Sequence, residues 1–275
     1  MNIRKAIITY ENNGYKFEEA ESKVSQDIIL SKIANSRYKD NITIKGGVVM
    51  HNISNDIRRA TRDLDIDFIK YSLADTSIQN FIKSLNNIND DIKIEISGDI
   101  VPLHHQDYDG KRVYIRLDDK YGNSINTKLD IGVHKLFDLK QDEYCFDLSL
   151  INKKVNLLIN SKEQIFTEKL KSLLKLGFRS TRYKDIFDFY YLINIARLDK
   201  DKLIKNIYVL IINDEGMREN SIFDISKRLE STLKSKRYLN NLNNPAVNWL
   251  DIPIDKAISS VLNYISDLSN ELVSN

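Results

Sequence analysis

The chain has a single cysteine, Cys145, in 275 residues. An internal disulfide and a cysteine-built zinc ribbon are therefore excluded. Long apolar runs are also missing, with no window approaching the ~18 residues that a membrane span needs. The residues after Met1–Ala6 are polar and acidic, without the apolar core of a secretory signal. A cytoplasmic protein with no membrane attachment is expected. Charge of one sign is scarce: the net charge is +2, so any basic surface has to be local. No Walker-type loop and no Ser-His-Asp arrangement is present, and no internal repeat or low-complexity linker interrupts the chain. His51, His104, His105 and His134 lack metal-ligand spacing and read as ordinary polar or core histidines. Cys145 reads as a buried small apolar residue.

What is present is an ordinary globular composition, 42% hydrophobic and 29% charged, around one unusual segment. Thr61-Arg62-Asp63-Leu64-Asp65-Ile66-Asp67-Phe68 alternates acids with apolar residues. Side chains of a strand alternate between faces, so Asp63, Asp65 and Asp67 share one face and Leu64, Ile66 and Phe68 the other. Three like charges ~7 Å apart along one strand repel each other unless a cation sits among them. A divalent metal held by carboxylate oxygens answers that demand; a solvated edge strand is the competing explanation. The alternation does not say which of the three acids coordinate.

Shortly before it, Asn41–Lys45 reads as a strand entering Gly46-Gly47, with a short helix from Val48 to about Asn55. Glycines at a strand-to-helix junction let backbone N–H groups approach a phosphate; a tight turn is the plainer alternative. A helix over about 16–38 precedes this strand, and another lies near 75–87. Asp91–Val101 and Lys111–Leu117 read as strands joined by an Asp109-Gly110 turn. A turn at Gly122-Asn123 then leads into the alternating strand Ser124–Val133, whose polar face carries Asp130. That carboxylate could complete a three-acid, two-metal site, or simply be solvated.

Beyond about residue 158 the period becomes 3.6. Ser161–Gln164 reads as a capping box opening a helix that ends at Gly177, and Thr181 as the cap of a helix over about 182–197. Amphipathic segments follow at 200–212, 220–236 and 254–272. The pattern predicts an α+β fold with a mixed or antiparallel sheet, a lobe at 1–155 and a helical lobe at 156–275. Lys169 falls inside the apolar arc of Phe166, Leu170, Leu173 and Leu174, where a lysine either snorkels or meets an anion such as phosphate. Asp185 faces packed structure, with Asp188 one turn later as its rival. Lys171, Lys175, Arg179, Arg182 and Lys184 form a local basic cluster that could meet a polyanion or only water.

Three ordered segments together resemble the AbiEii family of nucleotidyltransferase toxins of type IV toxin–antitoxin and abortive-infection systems. They are Lys45-Gly46-Gly47 with Arg59–Asp65, Lys128-Leu129-Asp130-Ile131, and Glu168-Lys169-Leu170 with Arg182–Tyr190. The resemblance implies a polymerase-β-like nucleotidyltransferase lobe. It makes Asp63 and Asp65 the metal pair for Mg²⁺ or Mn²⁺, Asp130 a third carboxylate and Asp185 a catalytic acid. Gly46, Gly47 and Lys169 would meet the phosphates of an NTP. An RNA acceptor, a tRNA 3′ end, would contact Arg179, Arg182 and Lys184, and a cognate antitoxin protein would be the partner. Gly47 stands where related transferases often carry serine, and Asp67 is an acid beyond the usual pair. Two other functions fit the same residues: nucleotidyl transfer to a small molecule such as an antibiotic, and nucleotide or metal binding without turnover.

Overall fold

The computed structural model describes residues 1–87, 91–103, 110–135 and 138–274, which form two compact units, 1–160 and 161–275. The first holds helices α1 (Ile3–Asn12), α2 (Phe17–Ala34), α3 (Gly46–Ser54) and α4 (Asp75–Ser84). Its strands are β1 (Ile42–Lys45), β2 (Leu64–Ile69), β3 (Ile92–Pro102), β4 (Lys111–Asp119), β5 (Ser124–His134), β6 (Asp142–Leu148) and β7 (Lys153–Ile159). They make one sheet in the order β3-β4-β5-β2-β1-β7-β6. It is mixed: β2 runs parallel to β5 and β1 to β7, and the other neighbours are antiparallel.

The acidic strand β2 is therefore central. Leu64, Ile66 and Phe68 are buried on one face, each contributing about 1.5–3 kcal/mol by leaving water. Phe68 packs edge-to-face on Phe81 of α4, with ring centroids 5.3 Å apart, a geometry that favours aromatic pairs. The polar face of β2 is not a solvated edge. Asp67 is buried and sits 2.7 Å from Lys45 Nζ.

The β4–β5 turn forms as its residues demand. Gly122 takes φ +84°, and the Asp119 carboxylate accepts bonds from the backbone N–H of Tyr121 and Asn123 at 2.8 and 2.9 Å. The Asp109-Gly110 turn falls partly outside the described residues, and His104 and His105 lie wholly outside them. Cys145 corrects the sequence reading. It sits on β6 at an outward position and is exposed, while its neighbours Phe146 and Leu148 are buried.

The second unit is helical among its described residues: α5 (Lys162–Leu176), α6 (Lys184–Tyr191), α7 (Lys200–Ile207), α8 (Ile222–Leu233), α9 (Lys236–Leu242) and α10 (Ile254–Ser274). The Ser161 hydroxyl accepts from Gln164 N–H at 3.1 Å and opens α5, and Gly177 at φ +54° closes it. Thr181 does not cap α6. That helix starts later, with Tyr183 at the cap position, and widens into a π-helix over Leu192–Ala196. Among the described residues no helix is long and apolar enough to cross a membrane.

Candidate active site

Strand register brings four charged residues into one row. Lys45 on β1 is paired with Asp65 on β2, Asp65 with Asp130 on β5, and Asp130 with Arg112 on β4. Residues directly opposite on neighbouring strands project from the same face, so the row reads Lys, Asp, Asp, Arg across the sheet. Adjacent strands lie ~4.8 Å apart, which sets Asp65 beside Asp130.

Each acid has a distinct partner. Arg112 donates to both oxygens of Asp130, from Nε and Nη2 at 2.8 Å each. This bidentate fork is the strong form of the pair, and the bonds to Asp130 hold the guanidinium pKa above its ordinary value. Asp63 lies just before β2, with a side chain 52% exposed, and meets Lys128 Nζ at 2.8 Å. Asp67, the extra acid, is committed to Lys45. Asp65 lies against the glycine turn: a Cβ added to Gly46 would come within 2.5 Å of Asp65 Oδ2. Gly46 also has φ +68°, which L side chains avoid. A Cβ on Gly47 would fall 2.6 Å from the Thr61 hydroxyl. Both glycines are thus cradles, with Asp65 and Thr61 in the space that side chains would fill.

Gly46 and Gly47 form the first turn of α3, where unbonded N–H groups and the helix dipole favour an anion. Among the described residues, no three His, Cys, Asp or Glu side chains converge closely enough to hold a metal ion. The donor types nevertheless fit a hard dication. Asp65 and Asp130 stand in register on adjacent strands, and Asp63 lies one alternation earlier on the same face. For Asp63 or Asp130 to coordinate, Lys128 or Arg112 would have to release it.

The second unit gathers the other predicted residues. Lys169 is 5% exposed, so it does not snorkel; it meets an anion, and that anion is protein. Its Nζ lies 2.5 Å from Asp185 Oδ1 and 2.9 Å from Asp188 Oδ2. Arg182 Nε donates to the other oxygen of Asp185 at 2.9 Å, and Trp249 Nε1 donates to Asp188 at 3.0 Å. Asp185 and Asp188 therefore act together in one buried network. In the basic cluster, Lys171 is paired with Asp214, while Arg179 is exposed and Lys184 half-buried. Lys45, Thr61 and Lys128 lie within the motif segments without a role of their own, and Arg112 lies outside them. Their link to the acids is register and loop approach, which local pattern does not encode.

Two carboxylates beside a glycine-opened helix N-terminus make a site suited to phosphate esters and their counter-cations. The comparison with known families agrees. The family model described as "Nucleotidyl transferase AbiEii toxin, Type IV TA system" matches residues 28–250. The chain belongs to that family and is a nucleotidyltransferase toxin. Among solved structures it is similar to an antigenic nucleotidyltransferase-like protein from Paracoccidioides brasiliensis, at 16% identity. That match covers 83% of this chain and 92% of that one with a TM-score of 0.40. No curated protein sequence matches the chain.

Proposed function

We propose that the chain moves a nucleoside monophosphate from an NTP to a hydroxyl, the 3′ end of a tRNA, and releases pyrophosphate. The resulting growth arrest is relieved by a cognate antitoxin protein. The observation that carries the reading is the register row, with Asp65 and Asp130 adjacent and Asp65 seated on the Gly46 turn. It stands beside membership in a nucleotidyl transferase family.

In this reading Gly46 and Gly47 present backbone N–H groups to the triphosphate at the start of α3. Asp65, with Asp63 and Asp130, holds Mg²⁺ or Mn²⁺. Such an ion, when bound, offsets triphosphate charge and lowers the pKa of an attacking hydroxyl. Arg112, which holds both oxygens of Asp130, and Lys128, which holds Asp63, would release them to the ion. Lys45 offsets the buried charge of Asp67, and Asp65 lies against the Gly46 turn. The same reading gives Lys169 to nucleotide phosphate and Asp185 to the proton of the attacking hydroxyl. A phosphate reaching Lys169 has to compete with two carboxylates already within bonding distance. Arg179, Arg182 and Lys184 are the proposed contacts to acceptor RNA.

The test is Asp65→Asn, assayed for transfer of labelled nucleotide from each NTP to total cell RNA. Transfer should fall by about three orders of magnitude, the scale of losing a central charge-stabilising group, with unfolding unchanged. A folded variant that still transfers label at the parental rate removes Asp65 from the chemistry.

A further inference from the structure

The short turn Gly177–Arg179, which follows α5, carries an exposed aromatic ring among arginines drawn from three parts of the chain. Phe178 is 48% exposed. The Arg237 guanidinium, from α9, lies 5.8 Å from its ring centroid. Arg228, from α8, brings Nη2 to 3.8 Å from where a Gly177 side chain would begin. Arg179 is adjacent in the turn and exposed.

Charge sets this spot apart. The chain holds 41 basic and 39 acidic residues, and cations close to this turn are paired. Arg182, three residues on, is bonded to Asp185, and Lys171 to Asp214. Arg179, Arg228 and Arg237 have no ion pair among the described residues. Three arginines left without acids at one turn would repel each other, so the surface favours a polyanion. An open aromatic face beside a planar cation adds a second preference, because an unpaired nucleobase stacks on such groups. A phosphorylated or acidic protein would use the arginines but leave the ring without a partner.

We propose that the Phe178 turn binds unpaired RNA, with a base stacked on Phe178 and phosphates on Arg179, Arg228 and Arg237. The inference deepens the proposed RNA acceptor by specifying a single-stranded segment. It requires no transfer, so it can be tested apart from the chemistry.

The experiment is fluorescence anisotropy with a labelled, unstructured octaribonucleotide. It uses the full chain carrying Asp65→Ala, without NTP. Three phosphate contacts predict a log–log salt slope of about −2 for a single strand. Phe178→Ala should weaken binding about tenfold, the loss of one stacked base, and leave that slope unchanged. Arg237→Ala should reduce the slope by about 0.7. Inorganic polyphosphate, which has no bases, should respond to Arg237→Ala and not to Phe178→Ala. Phe178→Trp should keep the affinity, and its emission should be quenched by RNA; the chain's only other tryptophan, Trp249, is buried. Parental affinity in a folded Phe178→Ala chain overturns the proposal, as does an unquenched Phe178→Trp at saturating RNA. Polyglutamate competing as well as RNA also overturns it, in favour of an acidic protein partner. Absence of transfer by the parental chain, alongside these binding results, would count against the transferase reading and leave this surface standing.

Discussion

Gly46→Ala tests the site's geometry through stability, before any activity is measured. Gly46 has φ +68°, and an L residue in the left-handed region costs about 1–2 kcal/mol. The new methyl would also lie 2.5 Å from Asp65 Oδ2, 3.4 Å from its Cγ and 3.6 Å from its Cβ. Moving a half-buried neighbour aside in this way costs up to about 1–3 kcal/mol. The single substitution should therefore destabilise the first unit by about 2–5 kcal/mol. Removing the obstructing side chain separates the two effects. In an Asp65→Gly background only the backbone strain remains, so the cost of Gly46→Ala should drop to about 1–2 kcal/mol. Urea unfolding of the four chains gives the coupling directly from their midpoints. Independent sites add within about 0.5 kcal/mol. If Gly46→Ala costs the same in both backgrounds within that margin, the Asp65 carboxylate does not occupy the glycine cradle, and the site as described is wrong.

Lys169→Ala leaves Asp185 and Asp188 buried around a missing cation, which should cost about 3–5 kcal/mol; an unchanged melting temperature would remove the network from the stability of the second unit. Burial, reinforced by Lys23, pushes the His51 imidazole down to about 4. Its contribution is complete above the unfolded value near 6.5 and is lost as pH falls from there toward 4, up to about 3 kcal/mol. Burial of Asp27 raises that carboxyl and acts in the opposite sense, so the comparison is with His51→Gln. That variant should lose less stability than the parent between pH 7 and 4.5, and identical losses would refute the assignment. Cys145 is exposed, so Cys145→Ala should shift stability by no more than about 0.5 kcal/mol. A disulfide reagent should titrate the thiol in native buffer; a thiol that reacts only after unfolding contradicts its place on β6.

Periodicity made most elements legible. Leu64, Ile66 and Phe68 pointed inward as alternation requires, and Ser161 and Gly177 bounded α5. Even α1, which was not anticipated, displays Ile3, Ala6, Ile7 and Tyr10 at helical spacing behind an Asn2 cap. What local pattern leaves out is position within the sheet and contact between elements. Cys145 was assigned from its residue type, but on β6 position parity decides exposure, and it shares the outward parity of Glu143 and Asp147. Lys169 was placed correctly in an apolar arc, yet its anions come from α6, and no local window shows a helix–helix contact. The same holds for Arg112 and Asp130, eighteen residues apart and joined only because the Gly122 turn folds β4 back on β5.

Asp67 was the acid that blurred the metal register, and its pairing with Lys45 clarifies how the strand handles charge. At an effective dielectric near 20, two carboxylates ~5 Å apart repel by about 3 kcal/mol. Asp65 and Asp130 stand at such neighbouring positions, so the sheet has to supply cations beside them. It supplies Arg112 at one end of the row and Lys45, shared with Asp67, at the other. Lys128 answers Asp63 in the adjoining row. Of these acids, Asp65 is the one that rests on the glycine turn. A triphosphate approaching that face is repelled unless it brings positive charge with it. On the proposed reading, nucleotide and divalent cation are therefore bound as one unit, beside the acid whose carboxylate touches the Gly46 turn.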